Sequence, residues 1–301
     1  MLQITNLIKH FTNAKAVDGI SFSASRGKIL GLIGPNGAGK TTTIRILLNI
    51  LSQDSGEVLL DGIPWNPEMR NRVGYLPEER GLYQKNKIVD VMLYLASLKG
   101  VEPKEGRIKI YDWLKRFDML NVAKKKVEEL SKGNQQKIQF ITALLHDPEF
   151  IILDEPFSGL DPVNQLLLKD ILQELKSSGK LILFSTHQME TAEKLCDEIC
   201  MINKGKVCLS GTLKEVKSNF KSNTIKIEFD GNGQILNQLD FIKSVNLYEN
   251  SAECELNTPI DPKNIISVLN QNLSLRKIEF VEPSLETIFL QIVKSSSEAV
   301  Q

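Results

Sequence analysis

Residues 34–41 read GPNGAGKT and match the pattern G-x-x-x-x-G-K-[ST], which decides the fold of this chain. Glycines let the backbone wrap a phosphate closely, so that successive N–H groups converge on its oxygens. Lys40 can reach the β- and γ-phosphates, and the Thr41 hydroxyl suits a Mg²⁺ ligand. The flanks are a short apolar strand at 28–33 (KILGLI) and a helix at 41–51 (TTTIRILLNIL), whose N-terminus would face the anion. The sequence therefore predicts a nucleotide-binding loop between a strand and a helix.

The bulk composition bounds the remaining possibilities. A chain of 301 residues can form one large domain and a smaller one. Its 37 basic and 37 acidic residues balance, which argues against a nucleic-acid binder or a polybasic membrane anchor. No apolar run approaches the roughly 18 residues of a membrane span, and the N-terminus lacks a signal-peptide layout. We expect a cytoplasmic protein, or one held to a membrane only through a partner.

The four cysteines indicate buried structural thiols. They form no C-x-x-C pair, and no histidine lies near any of them in the sequence. We expect Cys196 and Cys200 in one helix and Cys208 in a strand, while Cys254 is far from all three.

Strand and helix patterns alternate through the first two thirds of the chain, which predicts an α/β core. The predicted strands are 2–7, 20–24, 28–33, 57–60, 73–76, 150–153 and 181–185. Helical spacing fills most of 88–143, so a helical subdomain at about 84–145 is predicted within a nucleotide-binding domain at 1–212, and a further helix is predicted at 164–178.

The composition changes after residue 212, and a small α+β domain is predicted at 213–301. A linking helix at 213–220 precedes strands at 224–229, 244–248, 253–256 and 275–281. Helices are predicted at 234–242, 262–271 and 284–294. This order suits a ferredoxin-like β-α-β-β-α-β unit.

Two carboxylates follow a strand that should be buried on both faces, 150–153 (FIIL). Asp154 and Glu155 stand at its carboxyl end, where ligands bind in open α/β sheets. Asp154 suits Mg²⁺ held through water, and Glu155 suits a general base for the attacking water. The alternative is a strand that ends in ordinary solvated acids, and the phosphate loop makes the metal and base roles the favoured prediction.

A histidine ends the next core strand. His187 follows LILFST at 181–186, where a contact to the γ-phosphate is needed. A single histidine is more often structural than catalytic, and we assign structural roles to His10 and His146, which lack this context.

Four further stretches carry a family resemblance. LSKGNQ at 130–135 is similar to the LSGGQ signature of the ABC ATPases, and SGLD at 158–161 resembles their D-loop. His187 matches the histidine of their H-loop, and Phe11 stands where they place an aromatic ring that stacks on adenine. With the phosphate loop, these motifs occur in the family order over 1–212.

The resemblance implies a head-to-tail dimer with ATP between the phosphate loop of one subunit and the signature of the other. Ser131 and Gly133 would then donate to the γ-phosphate in trans, and Phe11, with Val17, would hold adenine. Lys40, Glu155 and His187 would be catalytic. The remaining ATP-binding positions are Gly34, Pro35, Asn36, Gly37, Ala38, Gly39, Thr41, Thr42 and Asp161.

The chain departs from the family pattern at two places. Lys132 and Asn134 replace Gly and Gln in the signature, but Gly133 is retained, so an active site is expected. Glu78 stands at the Q-loop position in 73–83 (VGYLPEERGLY), where the family has Gln. This extra carboxylate implies a metal set of Thr41, Asp154 and Glu78, while the alternative is a solvated charged turn. The family places this loop against its membrane partner.

The phrases YLPEERGLY, LSKGNQQKIQF and PSLETIFLQIV most resemble the ABC-2 export subgroup, and among it the sodium-efflux ATPase subunits. That subgroup implies a separate multi-span transmembrane permease, a second ATP-binding subunit, a homodimer and a location at the inner face of the membrane. A soluble ABC ATPase of translation or DNA maintenance is the alternative, although the chain lacks a second cassette and long insertions. A GTP switch is not supported, since 203–206 read NKGK and lack the Asp of N-K-x-D.

Overall fold

The computed structural model describes residues 1–12, 14–79, 81–220, 224–257 and 262–298. The chain divides into two compact units, Met1–Leu213 and Lys214–Gln301. Among the described residues, no helix combines the length and the apolar composition that crossing a bilayer requires.

The first unit is built on a mostly parallel sheet. The strands of this unit are β1 (Leu2–Phe11), β2 (Ala14–Ala24), β3 (Lys28–Ile33), β4 (Ser55–Leu60), β5 (Ile63–Pro64), β6 (Val73–Leu76), β7 (Phe150–Asp154), β8 (Leu181–Thr186), β9 (Glu198–Asn203) and β10 (Lys206–Thr212). Six of them form a sheet in the order β10-β9-β3-β8-β7-β6, and only β10 runs antiparallel to its neighbour. Every residue of β7 and β8 is buried, which explains their continuous apolar runs at 150–153 and 181–184. The predicted α/β fold is confirmed.

A separate antiparallel sheet has the order β2-β1-β4-β5. Its two longest strands, β1 and β2, extend beyond the predicted 2–7 and 20–24. Register shifts interrupt their pairing, and Asn6 has a φ of 48°. Because such irregularities break the two-residue alternation of side chains, the sequence pattern revealed only part of each strand.

The helices of the first unit are α1 (Lys40–Leu47), α2 (Ile88–Ser97), α3 (Pro103–Arg116), α4 (Lys132–Leu144), α5 (Pro162–Ser177) and α6 (Met189–Leu195). Helices α2, α3 and α4 lie between β6 and β7 in the chain. Helix α1 ends four residues before the prediction, because Asn49 adopts a left-handed conformation with a φ of 53° just after the helix.

The prediction that Cys196 and Cys200 share a helix is wrong. Helix α6 ends at Leu195, Cys196 is its extended cap, and Cys200 lies in β9. The four central residues of β9 are all buried, so this strand has no polar alternation that could have marked it. Burial raises the pKa of both thiols well above its usual range.

The second unit is a small α+β domain. Its elements are α7 (Leu213–Asn219), β11 (Thr224–Asp230), β12 (Ile242–Leu247), β13 (Ser251–Leu256), α8 (Pro262–Asn272), β14 (Ser274–Phe280) and α9 (Leu285–Glu298). The sheet is antiparallel in the order β12-β13-β11-β14, the strand order of a ferredoxin-like unit. Alternate residues of β11, namely Ile225, Ile227 and Phe229, are buried in its core.

The helix predicted at 234–242 is wrong. This stretch contains only a short 3₁₀ helix, Gly233–Gln238, and the chain is already extended at Leu239. Ile242 instead begins β12 and pairs with Leu256 of β13. Tertiary pairing has therefore overridden the local helical spacing.

Candidate nucleotide-binding site

The phosphate loop lies between β3 and α1. Gly39 has a φ of 110°, and a methyl group there would lie 2.4 Å from the carbonyl oxygen of Ala16, so only glycine fits. The Lys40 side chain is buried, and its ammonium donates hydrogen bonds to the carbonyl oxygens of Gly34 (2.8 Å) and Pro35 (3.2 Å). The loop thus folds around its own lysine.

A cleft of about 290 Å³ opens at this loop. Its lining brings together the loop and three carboxylates that are distant in the sequence: Ala16, Asn36, Gly37, Ala38, Gly39, Lys40, Thr41, Thr42, Glu78, Asp154 and Glu155. The predicted phosphate-binding and metal-binding positions therefore meet in one place. Ala16 was not predicted and comes from β2.

Lys40 and Asp154 are buried charges of the cleft that are only partly compensated, whereas Glu78 is exposed. Burial lowers the pKa of Lys40, and the attraction of Glu155, Asp154 and Glu78 opposes that shift. Burial also raises the pKa of Asp154, against the hydrogen bond from Ser185. The charges of Lys40 and Asp154 are thus destabilised by their surroundings, and each would gain from a ligand group of opposite charge.

Asp154 is the last residue of β7 and is 1% exposed. The hydroxyl of Ser185 donates a hydrogen bond to its Oδ1 atom, while its Oδ2 atom is buried and has no hydrogen-bond partner. A buried carboxylate oxygen without a donor is costly, so this atom fits a metal-bound water.

Glu155 is held by three donors. It has a left-handed backbone, with a φ of 49°, as the chain leaves β7. Its carboxylate accepts from the Thr186 hydroxyl (3.2 Å), from the backbone N–H of His187 (2.9 Å) and from Nδ1 of His187 (2.7 Å). Because an ionised carboxylate can only accept, Nδ1 carries a proton in this contact. The predicted base and the predicted phosphate-contacting histidine thus form a pair.

The signature stretch caps α4. The Ser131 hydroxyl accepts from the backbone N–H of Asn134 (3.3 Å), and Ser131 is exposed. A methyl group on Gly133 would lie 2.9 Å from the carbonyl oxygen of Gly159. Glycine is therefore needed where the signature packs against residues 158–161 of the same chain. Neither Ser131 nor Gly133 lines the cleft of its own chain.

The two predicted adenine contacts differ in accessibility. The Phe11 ring is 47% exposed, and the Lys9 ammonium lies 5.8 Å from its centroid. Val17 is 0% exposed in the apolar core, because the alternation of β2 turns its side chain inward. The Val17 side chain therefore cannot contact adenine here, and its neighbour Ala16 lines the cleft instead.

Asp161 has a local structural role. It is the N-cap of α5, and its Oδ1 atom accepts from the backbone N–H of Asn164 (2.9 Å). This hydrogen bond lowers the pKa of the Asp161 carboxyl. Asp161 is not part of the cleft lining.

Ser185 and Thr186 contact the two key carboxylates but were not singled out in the sequence. The available signal was a pair of hydroxyl residues at the end of the otherwise apolar strand 181–186. Their partners could be identified only from the pairing of β7 with β8.

Comparisons with known proteins agree with this geometry. Residues 17–158 match the ABC transporter family, and residues 211–293 match the family described as ATP-binding protein DrrA1-3-like, C-terminal domain. The chain is 45% identical over 293 residues to the uncharacterized ABC transporter ATP-binding protein YhaQ of Bacillus subtilis, covering 97% of this chain and 98% of YhaQ. It is 34% identical over 237 residues to the ABC transporter ATP-binding protein NatA of the same organism, covering 76% and 96%.

A solved structure supports the same assignment. An ATP-binding subunit of an ABC transporter is 32% identical to the chain and superposes with a TM-score of 0.68, over 73% of this chain and 93% of that one. The predicted resemblance is confirmed. The chain belongs to the ABC transporter family, in which it is an ATP-binding subunit that hydrolyses ATP.

Proposed function

We propose that two copies of this chain close head to tail around ATP and drive a separate exporter permease. The observation that carries the proposal is an incomplete site. The cleft gathers the phosphate loop and the carboxylates, whereas Ser131 and Gly133 of the same chain do not line it. Ser131 is exposed at the N-terminus of α4, where free N–H groups and the helix dipole favour a phosphate. A second copy can supply this surface, and hydrolysis then removes the phosphate that joins the subunits.

We assign Thr41, Asp154 and Glu78 to Mg²⁺. The orphaned Oδ2 atom of Asp154 and the common cleft support this assignment. Within the described residues, no three His, Cys, Asp or Glu side chains are grouped to hold a metal by themselves. The ion would therefore be shared with the phosphates of ATP, and when bound it neutralises their developing charge.

We assign the proton transfer to Glu155. Glu155 lines the cleft, and its carboxylate can accept a proton from the attacking water, as a general base does. His187 holds this carboxylate through Nδ1, and its side chain is 49% exposed, so with a proton also on Nε2 the ring would donate a hydrogen bond to a phosphate. Lys40 exchanges the carbonyl oxygens of its own loop for phosphate oxygens.

A second cavity, of about 520 Å³, is the surface we assign to a helix of the permease. Ile50 and Leu98 line it and are each 61% exposed. Gln139 also lines it and donates a hydrogen bond to the carbonyl oxygen of Glu79 (3.3 Å). Because Glu79 is adjacent to Glu78, which lines the ATP cleft, this hydrogen bond connects the docking cavity to the nucleotide site. Docking would hold the chain at the inner face of the membrane.

The domain roles follow the same division. We assign ATP binding and dimerisation to 1–212, with the inserted helices at about 84–145 carrying the signature and part of the permease surface. The accessory domain is 213–301, and the match of 211–293 to a C-terminal domain of ATP-binding proteins supports its separate identity.

The Glu155→Gln variant tests this function. It keeps the shape of the side chain but cannot accept a proton, so we expect turnover to fall by at least about 100-fold. ATP binding should persist, and the ATP-bound dimer should live longer. Near-normal ATPase activity would remove Glu155 as the base.

Co-purification tests the coupling. When the chain is co-expressed with a candidate multi-span permease, we expect the two to leave the membrane together in detergent. Exchange of the cavity residue Leu98 for Asp should release the chain while its ATPase activity in the absence of the permease is kept. If the complex were retained in that variant, the permease would have to bind a different surface of the chain.

A further inference from the structure

Strand β8 ends in two adjacent hydroxyl residues that are unusual in their setting. Ser185 is 0% exposed and Thr186 is 2% exposed, and the four residues before them, 181–184, are apolar. Strand β8 lies between β3, which leads into the phosphate loop, and β7, which carries the carboxylates. The two hydroxyls, which we call the hydroxyl pair, therefore sit between the two halves of the site.

The strand register assigns one carboxylate to each hydroxyl. Asp154 pairs with Ser185, and the backbone N–H of Glu155 donates to the carbonyl oxygen of Ser185 (3.1 Å). Successive side chains of a strand point to opposite faces, so the members of the pair cannot share one partner. Ser185 donates to Oδ1 of Asp154, and Thr186 donates to Oε2 of Glu155 (3.2 Å).

Thr186 has a fixed hydrogen-bond direction. Its hydroxyl oxygen accepts from the backbone N–H of Gln188 (3.0 Å), which leaves its single proton for Glu155. Its carbonyl oxygen accepts from the backbone N–H of Gly34 (3.3 Å). Thr186 thus ties Glu155 to the first residue of the phosphate loop.

We infer that Ser185 and Thr186 are positioning residues that divide the work of the two carboxylates. Ser185 occupies one oxygen of Asp154 and so directs the other oxygen to the metal. Thr186 holds Glu155 at the position from which it takes a proton from water. The inference rests on the proposed roles of Asp154 and Glu155, and it assigns a different positioning residue to each of these carboxylates.

A purely structural role would give a different pattern of effects. If the hydroxyls only satisfied buried carboxylates, loss of either one would lower stability. The Mg²⁺ dependence of nucleotide binding and kcat would then change by similar factors in both variants. The inferred division predicts that each loss affects a different step.

Three variants test the division. For Ser185→Ala we expect the Mg²⁺ concentration needed for half-maximal binding of a fluorescent ATP analogue to rise about tenfold, with kcat at saturating Mg²⁺ within about twofold of the parent. For Thr186→Val we expect kcat to fall about tenfold, while the KM for ATP and the Mg²⁺ dependence of binding stay within about twofold. Thr186→Ser keeps the hydroxyl and should restore kcat.

The result that would overturn the inference is an equal effect of Ser185→Ala and Thr186→Val on both readouts, or a loss in Thr186→Ser as large as in Thr186→Val. Thermal melting of each variant shows whether the fold is lost. If Thr186→Ser and Thr186→Val both melted at a temperature well below that of the parent, the role of Thr186 would be structural, and this would also count against the inference. Asp154→Asn and Glu155→Gln are measured in parallel. If these two lose activity while the hydroxyl variants do not, only the division fails, and if Glu155→Gln stays active, the proposed role of Glu155 as the base itself fails.

Discussion

Two clusters of charge in the first unit are built in opposite ways. One is the cleft with Lys40, Asp154, Glu155 and Glu78. The other, which we call the arginine ring, joins Arg26 and Arg72 to Asp61 and Glu149 at the surface. Arg26 contacts Asp61 at 2.6 Å and Glu149 at 2.8 Å, and Arg72 contacts Glu149 at 2.8 Å.

The difference shows in the carboxyl groups. In the arginine ring, hydrogen bonds from Arg72 and Arg26 lower the pKa of Glu149 to about 2, and those from Arg26 and the N-terminus hold the pKa of Asp61 well below its usual range. In the cleft, burial raises the pKa of Asp154. Charges that are satisfied within the chain stabilise the fold, whereas in the cleft the Oδ2 atom of the buried Asp154 has no partner and is left for a ligand.

Removal of a cleft charge should have the largest effect on activity and the opposite effect on stability. We expect Asp154→Asn to lower ATP turnover by at least about 100-fold, since the metal ligand is lost. The nucleotide-free variant should be about 1 kcal/mol more stable to unfolding, because a buried and incompletely paired carboxylate is gone. ATPase assays and urea denaturation measure the two effects. Asp112→Asn, at an exposed site on α3, is the control, and an Asp154→Asn variant less stable than its parent would contradict the comparison.

Filling the cleft should stabilise it. At a concentration of MgATP 100 times its Kd, the free energy of unfolding should rise by about 2.7 kcal/mol, since the ligand binds only the folded chain. Thermal melting of the Glu155→Gln variant measures this without turnover. Lys40→Ala should lose most of the shift, and a full shift in that variant would mean that ATP binds elsewhere.

The cleft could be predicted from the sequence because its chemistry lies in contiguous motifs. Residues 34–41 and Asp154–Glu155 stand at the carboxyl ends of apolar strands, and parallel strands bring such ends to one edge of a sheet. The arginine ring was not predicted, because its four members are scattered over more than 120 positions and no local pattern pairs them. The partners of the hydroxyl pair likewise depend on the register of β7 with β8, and the burial of Val17 depends on which face of β2 its side chain lies on. The prediction that Val17 contacts adenine was wrong because the sequence does not show which face of the strand is buried.

Removal of a ring charge should affect stability alone and in a pH-dependent way. Because the pKa of Glu149 is about 2 in the folded chain and 4.5 ordinarily, its contribution is present above about pH 4.5 and is lost as the pH falls toward 2. Glu149→Gln should therefore cost about 1 kcal/mol at neutral pH, a value kept small by solvent screening, and almost nothing near pH 2. Urea denaturation across this range measures it, with Glu57→Gln as an exposed control. A constant difference at every pH would contradict the ring, as would a loss of ATPase activity.

The central claim is that the site becomes complete only with a second copy, and mixing two inactive variants tests it most directly. Lys40→Ala disables the phosphate loop of one chain, and Ser131→Arg, at an exposed position, blocks the signature of the other. Each variant alone should be inactive. In an equal mixture, half of the dimers join one intact loop to one intact signature, so about a quarter of the parental ATPase activity should return. No recovery in the mixture, or full activity of Ser131→Arg alone, would contradict a site completed in trans.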